Sequence, residues 1–186
     1  MGEMSHAFWA EMSACEHFVQ IYEADDVFMD TLSGFIGGAF RQGDGAIVIA
    51  TPEHRAELDR RLVLMGFDLA SAKRSDQFLS LDAEETLAKF MVNGWPDEDR
   101  FAVAVRDILA RAGRSGRRVR AFGEMVALMW ANGYQEATVR LEHLWHQLCQ
   151  RESFALFCAY PKNGFTENPA VSIARVCAEH SKVFTA

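Results

Sequence analysis

Residues 46–50 read Ala-Ile-Val-Ile-Ala, five apolar side chains in a row. A strand with one wet face alternates apolar and polar residues, so an unbroken run of this length reads as a strand buried on both faces. Such a strand needs a layer over each face, which is the situation of a parallel sheet clad in helices. The rest of the chain fits that demand. Residues 17–23 (HFVQIYE), 117–122 and 153–160 (SFALFCAY) are further short, apolar strand formers, and residues 67–70 and 77–81 read as two shorter ones.

Helical patterns separate these runs. Phe28, Leu32, Phe35, Ile36 and Phe40 fall on one helix face, with Asp25 or Asp26 as the N-cap and Gly43-Asp44-Gly45 as the stop. Thr51-Pro52-Glu53 is a capped start for a helix carrying Leu58, Leu62 and Met65, and Gly66 ends it. Asp82-Ala83-Glu84-Glu85 is another capped start, and Gly94-Trp95-Pro96-Asp97 breaks the chain. Helices are then expected over 97–112, 123–131, 134–150 and 168–181. Strand and helix alternate, so the expected fold is α/β: three layers, a mainly parallel sheet with helices on both faces. Residues 17–186 form one domain, preceded by an arm or short helix over 1–16.

A length of 186 residues suits one domain with a sizeable core. The net charge of −7 argues against nucleic acid and against an anionic membrane surface, both of which call for a basic face. No apolar run reaches the roughly 18 residues of a membrane span, and residues 1–15 lack the basic start of a secretory signal. The four cysteines, Cys15, Cys149, Cys158 and Cys177, are scattered and expected to be reduced in a cytoplasmic protein.

The turn after the first strand is where a phosphate loop would stand. It reads Glu23-Ala24-Asp25-Asp26, carboxylates in place of the glycines and lysine that cradle a phosphate. ATP hydrolysis is therefore not expected. In a parallel sheet the strand ends rise at one edge, and ligands bind there. The expected edge collects Tyr22 and Glu23, Thr51 and His54, Phe122, Glu124 and Met125, and Tyr160. Apolar walls with a few polar groups suit a small molecule. Taken singly, each residue also has a structural explanation. Glu23 and Glu124 can cap helices or pair with arginines, and His54 can stand solvated in a first turn.

Other constellations carry less. His143 and His146 are spaced i, i+3 with Glu142 nearby, but further metal ligands are not evident, and a solvated, charge-paired helix face is expected instead. Arg111, Arg114, Arg117, Arg118 and Arg120 read as a solvated turn and strand start. Met125, Leu128, Met129 and Trp130 read as core. Cys158 has no histidine or acid tied to it by sequence. No catalytic residue, metal or cofactor is expected.

The segments HFVQIYEADD, IVIATPEHRAEL, FLSLDAEETLAKFM, VRAFGEMVALMWANG, LEHLW and LFCAYP resemble the MEDS domain, the sensory domain named from methanogens and methylotrophs. The resemblance runs from His17 to Pro161 with the motifs in order. It implies a RecA-like or KaiC-like fold that has lost its phosphate loop (no Walker A). The motif positions it carries over are His17, Tyr22, Glu23, Pro52, His54, Asp82, Phe122, Gly123, Glu124, Met125, Trp145 and Tyr160. It also implies sensing of a small organic molecule, a hydrocarbon derivative in the family, coupled to a histidine kinase, anti-sigma factor or transcriptional regulator. One helix is expected after Pro161, with no output module, so a signal would pass by protein–protein contact. A homo-oligomer is among the expected assemblies. The competing readings are a ligand-free interaction module and, last, an enzyme using Glu124 with His54.

Overall fold

The structure, a computed structural model, describes residues 15–185. The expected arm over 1–16 lies almost wholly outside them. Six strands form one sheet: β1 (His17–Tyr22), β2 (Gly45–Ala50), β3 (Phe78–Asp82), β6 (Val119–Gly123), β7 (Ala155–Pro161) and β8 (Lys182–Thr185). Their order is β3-β2-β6-β7-β1-β8, and every pairing is parallel. Two further strands, β4 (Met91–Val92) and β5 (Trp95–Pro96), make a small antiparallel hairpin where the sequence shows a break.

Alternate residues of a strand face opposite ways, and here both sets are apolar. On β7, Leu156, Cys158 and Tyr160 face one layer, while Ala155, Phe157 and Ala159 face the other. The first layer holds α5 (Glu98–Ala112), α6 (Met125–Ala131), α7 (Gln135–Glu152) and α8 (Pro169–Ala178), with the short α4 (Ala83–Leu87). The second holds α1 (Asp25–Gln42), α2 (Pro52–Leu64) and α3 (Leu69–Arg74). The expected three-layer α/β architecture is present.

Local chemistry explains most boundaries. Gly43 adopts a left-handed φ of 72° and closes α1. Thr51 caps α2 with Pro52 beside it, and Asp82 and Asp97 cap α4 and α5 through their carboxylates. Gly45 opens β2 where the chain passes the carbonyl of Ala112, and a Cβ there would stand 2.3 Å from that oxygen.

Four expectations are corrected. The strand expected at 67–70 is the approach to α3, because the Asp68 carboxylate accepts from Ser71 N at 2.9 Å and starts a helix. Asp25 and Asp26 occupy the first turn of α1, and the cap position is Ala24, which has no side-chain bond to give. The last helix stops at Ala178, and the chain adds β8 against β1. The arginine cluster is not simply solvated. Arg120 is buried and pairs with Asp44 at 3.1 Å, Arg118 shares that carboxylate at 3.2 Å, and Arg111 and Arg114 hold Asp76 at 3.0 and 2.7 Å.

Candidate functional site

β2 and β6 are neighbours, with Ile49 opposite Gly123. Beyond that pair they part. After β2 the chain enters α2 in the second layer, and after β6 it enters α6 in the first. A crevice at the carboxyl edge of a parallel sheet, where successive connections leave to opposite faces, is the favoured ligand position of such folds. Glu124 stands at that position of the sheet edge. Its N–H donates to Ile49 O at 2.8 Å, extending the ladder by one bond. Its side chain leaves its own helix and crosses to α2. There it accepts from Thr51 N at 2.9 Å and from His54 Nδ1 at 2.7 Å. The His54 and Glu124 side chains are 20% and 10% exposed, so the pair is reachable yet partly desolvated. The bond to Glu124 raises the His54 pKa above its ordinary value, against the opposing effect of burial.

An aromatic wall backs the pair. Phe28 of α1 meets the His54 ring edge-on at 5.2 Å, stacks on Tyr22 at 4.8 Å and lies 5.4 Å from Phe122. The edge therefore unites Thr51, His54 and Glu124, and Phe28 links them to Tyr22 and Phe122. It does not unite all the expected residues. Glu23 is exposed and forms an ion pair with Lys162, which lowers its pKa. Met125 is buried in the opposite layer. Tyr160 is on that side too, and its hydroxyl donates to Glu142 Oε1 at 2.6 Å.

That last bond opens onto a second constellation. His17 at the start of β1, Glu142 on α7, Cys158 on β7 and His180 between α8 and β8 converge in the first layer, their donor atoms all within 4.8 Å of one another. The side chains of His17, Glu142 and His180 are fully buried, and so is Cys158. Burial opposes ionisation of Glu142, but His180 and His17 outweigh it and hold the carboxylate below its usual range. Burial pushes the Cys158 thiol well up, and Glu142 adds to the shift. Glu142 is thus not part of a solvated face, which corrects the expectation for this helix. All four cysteines are free thiols.

The family profile described as "MEDS: MEthanogen/methylotroph, DcmR Sensory domain" matches residues 16–181. The chain belongs to the MEDS family. The MEDS match begins one residue before β1 and ends one before β8, so it encloses both constellations. No curated protein sequence matches the chain. Among solved structures, one from a structural study of a Pyrococcus horikoshii OT3 protein is similar in fold. It has a TM-score of 0.60 at 9% identity and covers 96% of this chain and 85% of that one. No helix among the described residues is long and apolar enough to cross a membrane.

The buried set of this MEDS domain went unrecognised in the sequence, although one signal for it was present. The inward stripe of α7 includes Thr138, Leu141, Trp145 and Cys149. Glu142 lies four after Thr138 and three before Trp145, so helical spacing alone turns it inward. Its partners are distant in sequence, and only the folded sheet brings them together.

Proposed function

We propose that this MEDS domain is a cytoplasmic sensory module. In this reading it binds a small organic molecule at the crevice between β2 and β6 and passes the event to a signalling protein, such as a histidine kinase or transcriptional regulator, by direct contact, without catalysis. The observation that carries the reading is the Glu124 carboxylate joining His54 and Thr51 across the point where α2 and α6 diverge. A ligand polar group that competes for Glu124 or His54 detaches the start of α2 from the start of α6, helices in opposite layers. Its apolar part meets the Phe28 cluster, buried in the joined state, once α2 parts from it. A ligand acts as a signal only through different affinity for the joined and parted states. The sensory family supports the reading, as does the acidic turn Glu23-Ala24-Asp25-Asp26, in keeping with a RecA/KaiC-like fold without a phosphate loop.

The test is a thermal-shift screen of small alcohols, acids and halogenated hydrocarbons on wild type, Glu124→Gln and His54→Gln. The expected result is a ligand that raises the wild-type Tm and leaves Glu124→Gln unmoved. A ligand that raises both equally removes the site from this crevice. A second reading is favoured by one observation: both Glu124 oxygens are already satisfied within the protein. The pair then serves as a fixed brace in a ligand-free interaction module. That reading is supported if no compound shifts the wild type while the domain still captures a signalling partner.

A further inference from the structure

We propose that His17, Glu142, Cys158 and His180 form a closed, four-ligand zinc(II) site in the first helical layer. The inference is separate from the strand-edge reading and stands or falls without it.

The spacing carries it. Tetrahedral zinc takes nitrogen and oxygen ligands at about 2.0–2.2 Å and sulfur at about 2.3 Å. The edges of such a tetrahedron, from ligand to ligand, are then about 3.4–3.6 Å by geometry. Here His17 Nε2 lies 3.5 Å from Glu142 Oε2 and 3.5 Å from Cys158 Sγ. Cys158 Sγ lies 3.5 Å from Glu142 Oε2, and His180 Nε2 lies 3.4 Å from the same oxygen. Three of these contacts are 3.5 Å and the fourth 3.4 Å, and the other two pairs of ligand atoms lie within 4.8 Å. Between nitrogen and oxygen the shorter separation is long for a hydrogen bond but right for two ligands of one ion.

The outer contacts of His180 and Glu142 have the pattern that orients metal ligands, whereas His17 Nδ1 is buried without a hydrogen-bond partner. His180 Nδ1 faces the Val176 carbonyl at 2.7 Å, which places a ring proton there and turns Nε2 toward Glu142. His180 Nε2 is buried and has no hydrogen-bond partner. A lone pair set against a carboxylate oxygen is unfavourable unless a proton or a metal ion stands with them, and the 3.4 Å separation suits two ligands of one ion. Tyr160 occupies the other oxygen, Oε1, and leaves Oε2 directed at the two imidazoles and the thiol. Ser181 bonds the His17 backbone in both directions, fixing the loop of His180 against β1.

Charge also balances. A carboxylate and a thiolate neutralise a divalent cation, so the filled site buries no net charge, and the Cys158 proton leaves to solvent on binding. Two imidazoles, a thiolate and a carboxylate are borderline donors, and zinc(II) suits them. With every ligand buried there is no open position for substrate, so the role is structural or regulatory: the ion ties β1, α7, β7 and the β8 approach together.

The test is elemental analysis of the full chain, expressed in zinc-supplemented medium and washed with a weak chelator. The expected result is about one zinc per chain, as for a closed structural site. Strong chelation should lower the Tm, and zinc should restore it. Cys158→Ser and His180→Gln should lose the metal, whereas His146→Gln, a half-buried histidine outside the four, should keep it. Tyr160→Phe should weaken affinity about 10–100-fold, as removal of an outer hydrogen bond does. Should the ligand variants not fold, cobalt(II) in the wild type decides: thiolate charge transfer with tetrahedral bands supports the site. Trace metal only, or an octahedral cobalt spectrum without thiolate bands, overturns it.

Discussion

Glu124 holds a start-of-helix position yet commits both oxygens to a different helix. Removing it strands the Thr51 amide and the His54 ring at once. Glu124→Ala should lower stability by about 2–3 kcal/mol, the size of one or two hydrogen bonds to a charged group, measured by urea denaturation. His54 makes the same junction sensitive to pH. Its folded pKa lies above the unfolded value of 6.5, so its contribution is fully present below pH 6.5 and is lost as pH rises through the folded value. Wild type should therefore lose stability relative to His54→Gln on going from mildly acidic to alkaline buffer. Parallel curves for the two proteins would refute the coupling. The sequence placed Glu124 correctly, at a strand-to-helix changeover beyond a parallel strand. It could not show that the carboxylate reaches across to Thr51, since that depends on β2 and β6 being neighbours.

At the level of elements, Gly45 shows how closely a helix end is set on a strand start. The obstacle to a side chain is the backbone oxygen of Ala112, which cannot rotate aside. Gly45→Ala should cost about 2–3 kcal/mol through displacement of the α5 terminus, read as a lower denaturation midpoint with an unchanged m-value. The elements that were legible in the sequence carry their own signals: the apolar run of β2, the Thr51-Pro52 start of α2, the stripe of α5. Those that were misjudged depend on what surrounds them. Lys182–Thr185 is short and partly polar, and it becomes β8 because β1 has a free edge beside β7. Residues 67–70 look like a strand until Asp68 is seen to cap a helix.

For the whole molecule, the sheet divides two apolar layers, and the second is centred on a cluster of phenylalanines. Phe157 packs on Phe18, Phe28, Phe35 and Phe122, with ring separations of 4.7 to 6.4 Å. Phe157→Ala should cost about 3–5 kcal/mol by opening a cavity where α1 and the sheet meet, measured by equilibrium unfolding. The strand order has a consequence for how the molecule is made. β1 is synthesised first among the described elements, but its neighbours are β7 and β8, the last two strands. While the ribosome is still reading the codons before Ala155, the segment Phe18-Val19-Gln20-Ile21-Tyr22 has neither of its sheet partners. Pairings this distant along a chain form slowly, and an apolar strand waiting for them is open to wrong company. A nascent chain halted ahead of β7 should therefore cling to chaperones through the β1 segment, and release should come only when β7 and β8 have cleared the exit tunnel.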